Sequence, residues 1–282
     1  MSKIKASAEI IRPANALMGG IGVIVGALAS GFFTNPLVFP LILGFAIVFC
    51  ISSAGMIIND VVDIEIDRIN CPERVLPSGR LSLHEAKILF GVYVGAGVIL
   101  AVLTLNLAVV LITIGGTALT VAYSTTLKRY GFVGNLVVAL LTSMALLLGG
   151  AIQGQLGIAA WPALVAFLIN MGREITKGID DLLGDMDSNV KTLAVVLGPK
   201  KAAWVAVAFM IATIAVAVVP YVLLLFSVLF FVVLILIAFI IGYVCISLLR
   251  SATPENAHRL KTIQKIAMFL GLLAFLLGAI PF

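Results

Sequence analysis

Long uncharged stretches alternate with short charged segments along this chain. Asp, Glu, Lys and Arg are absent from 13–59, 88–127, 130–172, 202–249 and 266–282, which hold 47, 40, 43, 48 and 17 residues. A membrane-spanning helix needs about 20 predominantly apolar residues. Each of the first four stretches therefore predicts two spans and the last predicts one, so that nine transmembrane helices are expected.

Polar or helix-breaking residues mark the turn inside each of the four longer stretches. Such residues are typical of chain reversals between helices. They are Thr34 with Asn35 and Pro36, Thr104 with Asn106, Gln153 with Gly154 and Gln155, and Pro220. Because these turns carry no charge, all charged residues are predicted to lie on one side of the membrane.

The composition indicates an all-α polytopic membrane protein, with residues 1–282 forming a single transmembrane domain. Hydrophobic residues make up 62% of the chain and the mean hydropathy is +1.22, whereas soluble domains are roughly 45–50% apolar. Lys and Arg outnumber Asp and Glu by 18 to 13. The positive-inside rule therefore predicts that the charged side and the N-terminus are cytoplasmic, with the C-terminus outside the cell membrane. The positive charge favours anionic lipid or substrate and gives no indication of nucleic acid.

Carboxylates gather where the second predicted span ends. At 100° per residue, Asp60, Asp63 and Asp67 fall within about 60° of one another, while Glu65 points elsewhere. Carboxylates on one stripe repel each other unless a cation lies among them, and Mg²⁺ shares its oxygen ligands between carboxylates, water and substrate phosphates. The stripe predicts a magnesium site, and the alternative is an ordinary solvated loop.

A second acidic stripe follows the sixth predicted span. It consists of Glu174, Lys177, Asp181 and Asp185, whereas Asp180 turns away. Two such stripes on one side of a helical bundle can face each other across a cavity, with room for two Mg²⁺ ions and one diphosphate. The two acidic segments are four spans apart, which suggests a parallel four-span repeat.

Several motifs resemble those of the UbiA superfamily of intramembrane prenyltransferases. NDVVDIEID at 59–67 and DLLGD at 181–185 are similar to its NDxxDxxxD and DxxxD signatures. RPAN at 12–15, NCPERVLPSG at 70–79 and YSTTLKRYGFVGN at 123–135 resemble further elements of the family, in the family's order. The resemblance extends over nearly the whole chain.

The resemblance implies a nine-helix bundle around a central cavity that opens towards lipid, with Mg²⁺-dependent prenyl transfer from an isoprenoid diphosphate. Position by position, it places these residues around the metals and the diphosphate: Asn15, Asn59, Asp60, Asp63, Asp67, Asp181 and Asp185. The candidates to hold diphosphate oxygens, a role that suits cations, are Arg68, Arg74, Tyr123, Lys128, Arg173 and Lys177. Many relatives carry another acid at the position of Gly178, and Glu174 is a candidate to supply that charge.

The proposed chemistry suits the arrangement of charges and apolar helices. An allylic diphosphate ionises when its leaving group is neutralised electrostatically, and the resulting cation must be shielded from water. Within the family, REITKGIDDLLGD at 173–185 and the short loops resemble archaeal members that act on geranylgeranyl diphosphate. Those members transfer its prenyl group to the sn-2 hydroxyl of geranylgeranylglyceryl phosphate, a step of ether-lipid synthesis.

Three other functions compete with this prediction. One is prenylation of an aromatic acceptor for quinone synthesis, from which no single residue separates it. Another is cation-coupled transport, because acids inside membranes are usually functional; here the acids lie at span ends, and the opposite side carries no charge for an exit site. The third is an alcohol phosphotransferase with paired metals, whose DG- and AR-containing signature is absent.

Overall fold

The computed structural model describes residues 3–187 and 190–280, and helices with short connections account for these ranges. The helices are α1 (Lys3–Ile10), α2 (Pro13–Ala27), α3 (Val38–Val62), α4 (Ile64–Asn70), α5 (Leu83–Leu103), α6 (Leu107–Thr125), α7 (Phe132–Ile152), α8 (Leu156–Asp180), α9 (Leu182–Asp187), α10 (Leu193–Leu197), α11 (Pro199–Val222), α12 (Val228–Arg250) and α13 (Pro254–Gly278). The first span continues beyond α2 to Phe32 and has 20 residues. A short 3₁₀ turn, Leu127–Arg129, follows α6.

Nine helices in the described ranges are long and apolar enough to cross a bilayer, which confirms the prediction of a polytopic all-α protein. These spans are α2, α3, α5, α6, α7, α8, α11, α12 and α13. The charged segments of the chain all connect spans at one side of the bundle, which we call the charged face.

Three of the four predicted turns lie where the sequence placed them, and the fourth does not. Pro220 lies inside α11, which continues to Val222. A proline removes only one backbone hydrogen bond at this point, and its own carbonyl accepts from the backbone N–H of Leu225 at 2.9 Å. The chain reverses instead at Leu224, which has a positive φ of 58°.

The two halves of the bundle repeat one packing pattern. In the first half α2 packs on α3, α3 on α5, and α5 on α6; in the second α7 packs on α8, α8 on α11, and α11 on α12. The helices α3 and α8 each have 25 residues, and each ends at one non-helical aspartate before a short helix. These aspartates are Asp63 (φ −90°, ψ 5°) and Asp181 (φ −84°, ψ 7°). This correspondence agrees with the predicted parallel repeat.

The two halves meet where α2 crosses α7. A Cβ added to Gly26 would overlap the carbonyl oxygen of Leu146, and one added to Gly149 would overlap the carbonyl oxygen of Val23. The contact is reciprocal, as it is across a two-fold axis. Small residues let membrane helices approach at backbone distance, so glycine is required at both positions.

Short segments cover the charged face above α3. A small apolar cluster joins α1 to the loop at 71–82 and to the end of α3, and its fully buried members include Ala6, Ile10, Ile57, Val75 and Leu81. Arg80 also pairs with Glu9 of α1, and this hydrogen bond lowers the pKa of Glu9 below its ordinary value. The loop that carries the NCPERVLPSG motif is thereby held over the first acidic motif.

Candidate active site

A cavity of about 840 Å³ lies between the spans, as predicted for the centre of the bundle. Most of its lining is apolar, and it runs from the charged face towards the opposite ends of α12 and α13. Four of the residues singled out from the sequence line it, namely Asn15, Asn59, Tyr123 and Arg173. The cavity therefore has a polar end at the charged face and an apolar body.

The cavity also opens sideways between the first and last spans. Met18 of α2 and Phe269 of α13 both line it, yet their exposed fractions are 59% and 65%. Because α2 and α13 also make few contacts with each other, the bundle is open along this side of the cavity.

The first acidic motif has a short break in its helix. The helix α3 ends at Val62, Asp63 has non-helical dihedrals, and α4 begins at Ile64. Backbone hydrogen bonds from Asp63 to Asn59 and from Asp67 to Asp63 continue across the break. Each of the three acids has a cation as its nearest charged partner. Asp60 pairs with Arg12, Asp63 with Lys128, and Asp67 with Arg74.

Asp60 and Asp67 are the buried acids of this cluster, with exposed fractions of 5% and 6%. One guanidinium nitrogen of Arg74 lies 2.8 and 2.7 Å from the two carboxylate oxygens of Asp67, and it lies 4.0 Å from Asp60. The hydrogen bond to Asp67 raises the pKa of Arg74 above its ordinary value. Buried charges are costly unless they are paired, and here Arg12 and Arg74 pair with the two buried acids, so this part of the site is preorganised as an ion network.

Lys128 and Tyr123 connect the first acidic motif to the cavity. Besides its ion pair with Asp63, the ammonium of Lys128 lies 3.5 Å from the side-chain oxygen of Asn59. Tyr123 of α6 lines the cavity together with Asn59 and Arg173.

The second acidic motif is more open than the first. Arg173 pairs with Glu174 at 2.6 Å, so that the charge of Glu174 is neutralised, and the Nε of Arg173 is buried without a hydrogen-bond partner. Asp181 is exposed and Asp185 is half-buried. Burial raises the pKa of Asp185, and the charge of Asp181 adds to that rise.

Other sequence candidates lie outside the cavity lining. Arg68 pairs with Glu65 at 2.7 Å on the exposed side of α4, and Lys177 is exposed at the end of α8. Asp180 turns away from the site, as predicted, and pairs with Lys261 of α13. The structure therefore joins the first motif, Lys128 and Arg74 in one cluster and does not bring Arg68 into it.

The donor set fits a hard divalent cation by its chemistry. Carboxylate and amide oxygens are the ligands that Mg²⁺ prefers. The first motif supplies Asn59, which lines the mouth of the cavity, and the acids Asp60, Asp63 and Asp67, which follow it in the chain. In the part of the chain that the structure describes, no three His, Cys, Asp or Glu residues converge to hold an ion. Arginine and lysine neutralise these acids instead, so metal binding would require the acids to exchange partners.

Two cations near the cavity were not among the sequence candidates. Arg12, the partner of Asp60, is the last charge before a 47-residue uncharged stretch and belongs to the RPAN segment, which was a usable signal. Lys265 lines the cavity from within α13. Its position was the one indication in the sequence, because Lys265 is the last charged residue of α13 before the uncharged part of that span.

Comparisons with known proteins relate the chain to one family. The profile of the UbiA prenyltransferase family matches residues 21–273. The chain is 36% identical over 281 residues to a Thermococcus sibiricus protein named digeranylgeranylglyceryl phosphate synthase, and the match covers 99% of this chain and 98% of that protein.

Solved structures show the same fold. One, described as giving structural and mechanistic insights into digeranylgeranylglyceryl phosphate synthase in membranes, matches with a TM-score of 0.92 at 32% identity and covers 99% of both chains. A UbiA homolog from Archaeoglobus fulgidus bound to GPP and Mg²⁺ matches with a TM-score of 0.63, covering 96% of this chain and 99% of that one. At 16% identity the second likeness concerns the fold alone.

Proposed function

The chain belongs to the UbiA prenyltransferase family and is a prenyltransferase, and we propose that it transfers a geranylgeranyl group from geranylgeranyl diphosphate to the sn-2 hydroxyl of geranylgeranylglyceryl phosphate. The product would be digeranylgeranylglyceryl phosphate, a precursor of archaeal ether lipid. The observation that carries this proposal is the buried network of acids and cations at the mouth of a large apolar cavity. The name of the Thermococcus sibiricus relative supports the choice of acceptor.

We assign Mg²⁺ to the acids of the two motifs, Asp60, Asp63, Asp67, Asp181 and Asp185. When bound, Mg²⁺ neutralises the diphosphate and makes it a better leaving group. Hard oxygen donors support this assignment, and so does the family likeness to a homolog that is bound to GPP and Mg²⁺.

The cations of the site would hold the diphosphate oxygens. Arg74 neutralises Asp67, and Lys128 neutralises Asp63. A metal ion bound to those two acids would free the N–H groups of Arg74 and Lys128 to bind phosphate. Arg173 offers a buried Nε that has no partner within the described residues. Charge-assisted hydrogen bonds of this kind are about twice as strong as neutral ones, so these cations favour the diphosphate anion as it leaves.

The apolar body of the cavity would protect the reaction from water. As the carbon–oxygen bond of the donor breaks, its electron pair leaves with the diphosphate. The hydroxyl oxygen of the acceptor attacks the allylic carbon, and the hydroxyl proton passes to the departing diphosphate. Water would compete for that carbon if the walls were wet. Phe230 and Phe275 line the far end, with ring centroids 5.0 Å apart. This aromatic end suits a prenyl chain and disfavours a path for transported ions.

We further propose that the charged face is cytoplasmic, with the N-terminus inside and the C-terminus outside. The excess of Lys and Arg over Asp and Glu, 18 to 13, supports this orientation because positive residues are retained inside. A diphosphate donor would then reach the polar end of the cavity from the cytoplasm.

A competition assay tests the reaction and its metal requirement. Purified protein in detergent would receive geranylgeranyl diphosphate, Mg²⁺, and an equimolar mixture of geranylgeranylglyceryl phosphate and 4-hydroxybenzoate. We expect digeranylgeranylglyceryl phosphate as the dominant product in mass spectrometry, its complete loss with excess EDTA, and its recovery when Mg²⁺ is restored, because the leaving group needs neutralisation. Prenylated benzoate alone would contradict the acceptor, and turnover that survives EDTA would contradict the metal assignment.

A further inference from the structure

The last span carries three cations, and only one of them pairs with an acid among the residues that the structure describes. Arg259 lies 5.9 Å from the centre of the Tyr243 ring, and Lys261 pairs with Asp180 of α8. Lys265 makes no ion pair or hydrogen bond with any residue that the structure describes. It is the innermost of the three, 11 residues beyond Pro254 and thus about 17 Å along the helix.

The register between α13 and α8 places Lys265 near the polar end of the cavity. The amide of Gln264 donates to the hydroxyl of Thr176 at 3.1 Å, and Thr176 lies one helical turn from Arg173. Both Lys265 and Arg173 line the cavity. The carboxylate of Glu174, which is near this level, is already paired with Arg173, so no acid at this level of α8 is left for Lys265.

Lys265 directly precedes the uncharged stretch 266–282, so its ammonium group lies at the boundary of the apolar part of α13. Ionisable residues within spans are costly, and they usually face a cavity and serve a ligand. Lys265 is exposed at the cavity, on the same helix as Phe269, which borders the lateral opening between α2 and α13. The ammonium therefore stands where a molecule that enters from the bilayer first meets the polar end of the site.

An apolar stripe continues from Lys265 along the same face of α13. Met268, Leu272 and Phe275 follow it at intervals of three, four and three residues, and all of them line the cavity. Residues at these intervals share one helical face. Leu234 and Ile237 of α12 line the cavity as well. A cation above an apolar wall fits a molecule with an anionic head and a long hydrocarbon tail.

We propose that Lys265 binds the phosphate of the prenyl acceptor, while the chain of the acceptor lies along Met268, Leu272 and Phe275. This inference rests on the proposed function, and it identifies how a phosphomonoester acceptor is distinguished from an aromatic or uncharged one. Among the partners proposed for the donor diphosphate, Asp63 and Lys128 lie at the end of α3 and after α6, whereas Arg173 on α8 borders the region of Lys265. Two anionic groups would thus bind at different sides of one cavity.

Steady-state kinetics of Lys265→Gln test the assignment, with geranylgeranylglyceryl phosphate and unphosphorylated geranylgeranylglycerol as alternative acceptors. We expect the KM for the phosphorylated acceptor to rise about tenfold or more, as for the loss of one charge-assisted bond. The KM for geranylgeranyl diphosphate should stay within about twofold, and the preference for the phosphorylated acceptor should fall by the same factor as its KM rises. Lys265→Arg should retain most of that preference, because a guanidinium also binds phosphate.

The control is Lys201→Gln, which removes one positive charge from an exposed position of α11 outside the cavity lining. It should leave both KM values unchanged. A rise in the KM for the donor, with an unchanged acceptor preference, would assign Lys265 to the diphosphate and overturn the inference. An effect that appears only when anionic phospholipid is added to the detergent would assign it to a lipid headgroup, with the same consequence.

The two proposals fail in different ways. If the parent protein makes no product from geranylgeranylglyceryl phosphate, the proposed function fails and this inference fails with it. If the parent makes the product and Lys265→Gln keeps the same acceptor preference, only this inference is overturned.

Discussion

Replacing Asp60 with Asn is expected to lower kcat by at least about 100-fold, as losses of catalytic electrostatic groups do. Asp60 is buried beside Arg12 and Arg74 at the mouth of the cavity. The amide keeps the shape of the side chain but removes the negative charge that a metal ion requires. Turnover would be followed as prenylated product at saturating donor and acceptor.

Glu65→Gln is the matched control for this change. Glu65 lies five residues further along the same segment, but its side chain is 75% exposed, and Arg68 on α4 is its one ion-pair partner within the described ranges. Exposed pairs of this kind contribute little, so kcat should stay within about twofold of the parent. Thermal unfolding in detergent would confirm that both variants are folded. Equal losses of kcat in the two variants would argue that the segment acts through its total charge rather than through Asp60.

Gly149→Ala is expected to destabilise the bundle by about 2–3 kcal/mol, the cost of forcing an extra methyl into close packing. The added Cβ would meet the carbonyl oxygen of Val23 and the backbone of Gly26 and Ala27. Backbone atoms cannot rotate away as side chains do, so α2 and α7 would have to separate. Denaturant titration in mixed micelles would measure the loss.

Gly242→Ala provides the same chemical change without the contact. A Cβ at Gly242 of α12 would meet nothing within 4 Å, and alanine is favoured over glycine in a helix by about 1 kcal/mol. This variant should be as stable as the parent or more so. If Gly149→Ala proved equally stable, the close crossing of α2 and α7 would be contradicted.

The two acidic motifs occupy equivalent places in the two halves and differ in their charge environment. The backbone N–H of Asp63 donates to the carbonyl of Asn59 at 2.9 Å, and that of Asp181 donates to Lys177 at 2.9 Å. By this register Gly178 occupies the place of Asp60, where a Cβ would make ordinary contact with Thr192. The first motif therefore carries two buried acids, Asp60 and Asp67, and the second carries an exposed and a half-buried acid, Asp181 and Asp185.

The number of spans, their order and the common side of all charges could be read from the sequence alone. A bilayer requires about 20 apolar residues for each helix and satisfaction of every backbone hydrogen bond within it. Both requirements act on contiguous residues, so the uncharged stretches were sufficient. Turn residues located three reversals for the same reason, and Pro220 failed because a helix can continue past one lost hydrogen bond.

The candidate site was predicted in its composition but not in its arrangement. The motifs identified Asp60, Asp63 and Asp67, while the assumption of one continuous helix placed them on a single stripe. The cation partners came only from the structure: Arg74 lies near both Asp60 and Asp67, Lys128 pairs with Asp63, and Arg12 reaches Asp60 from 48 residues away.

The crossing of α2 and α7, the partners of the acids and the place of Lys265 in the cavity were decided only by the tertiary structure. Each depends on which helix faces come together, and that choice reflects packing among segments far apart in the chain. Hydropathy and local motifs indicate how long a helix is and which side chains it carries. They do not indicate which other helix it packs against.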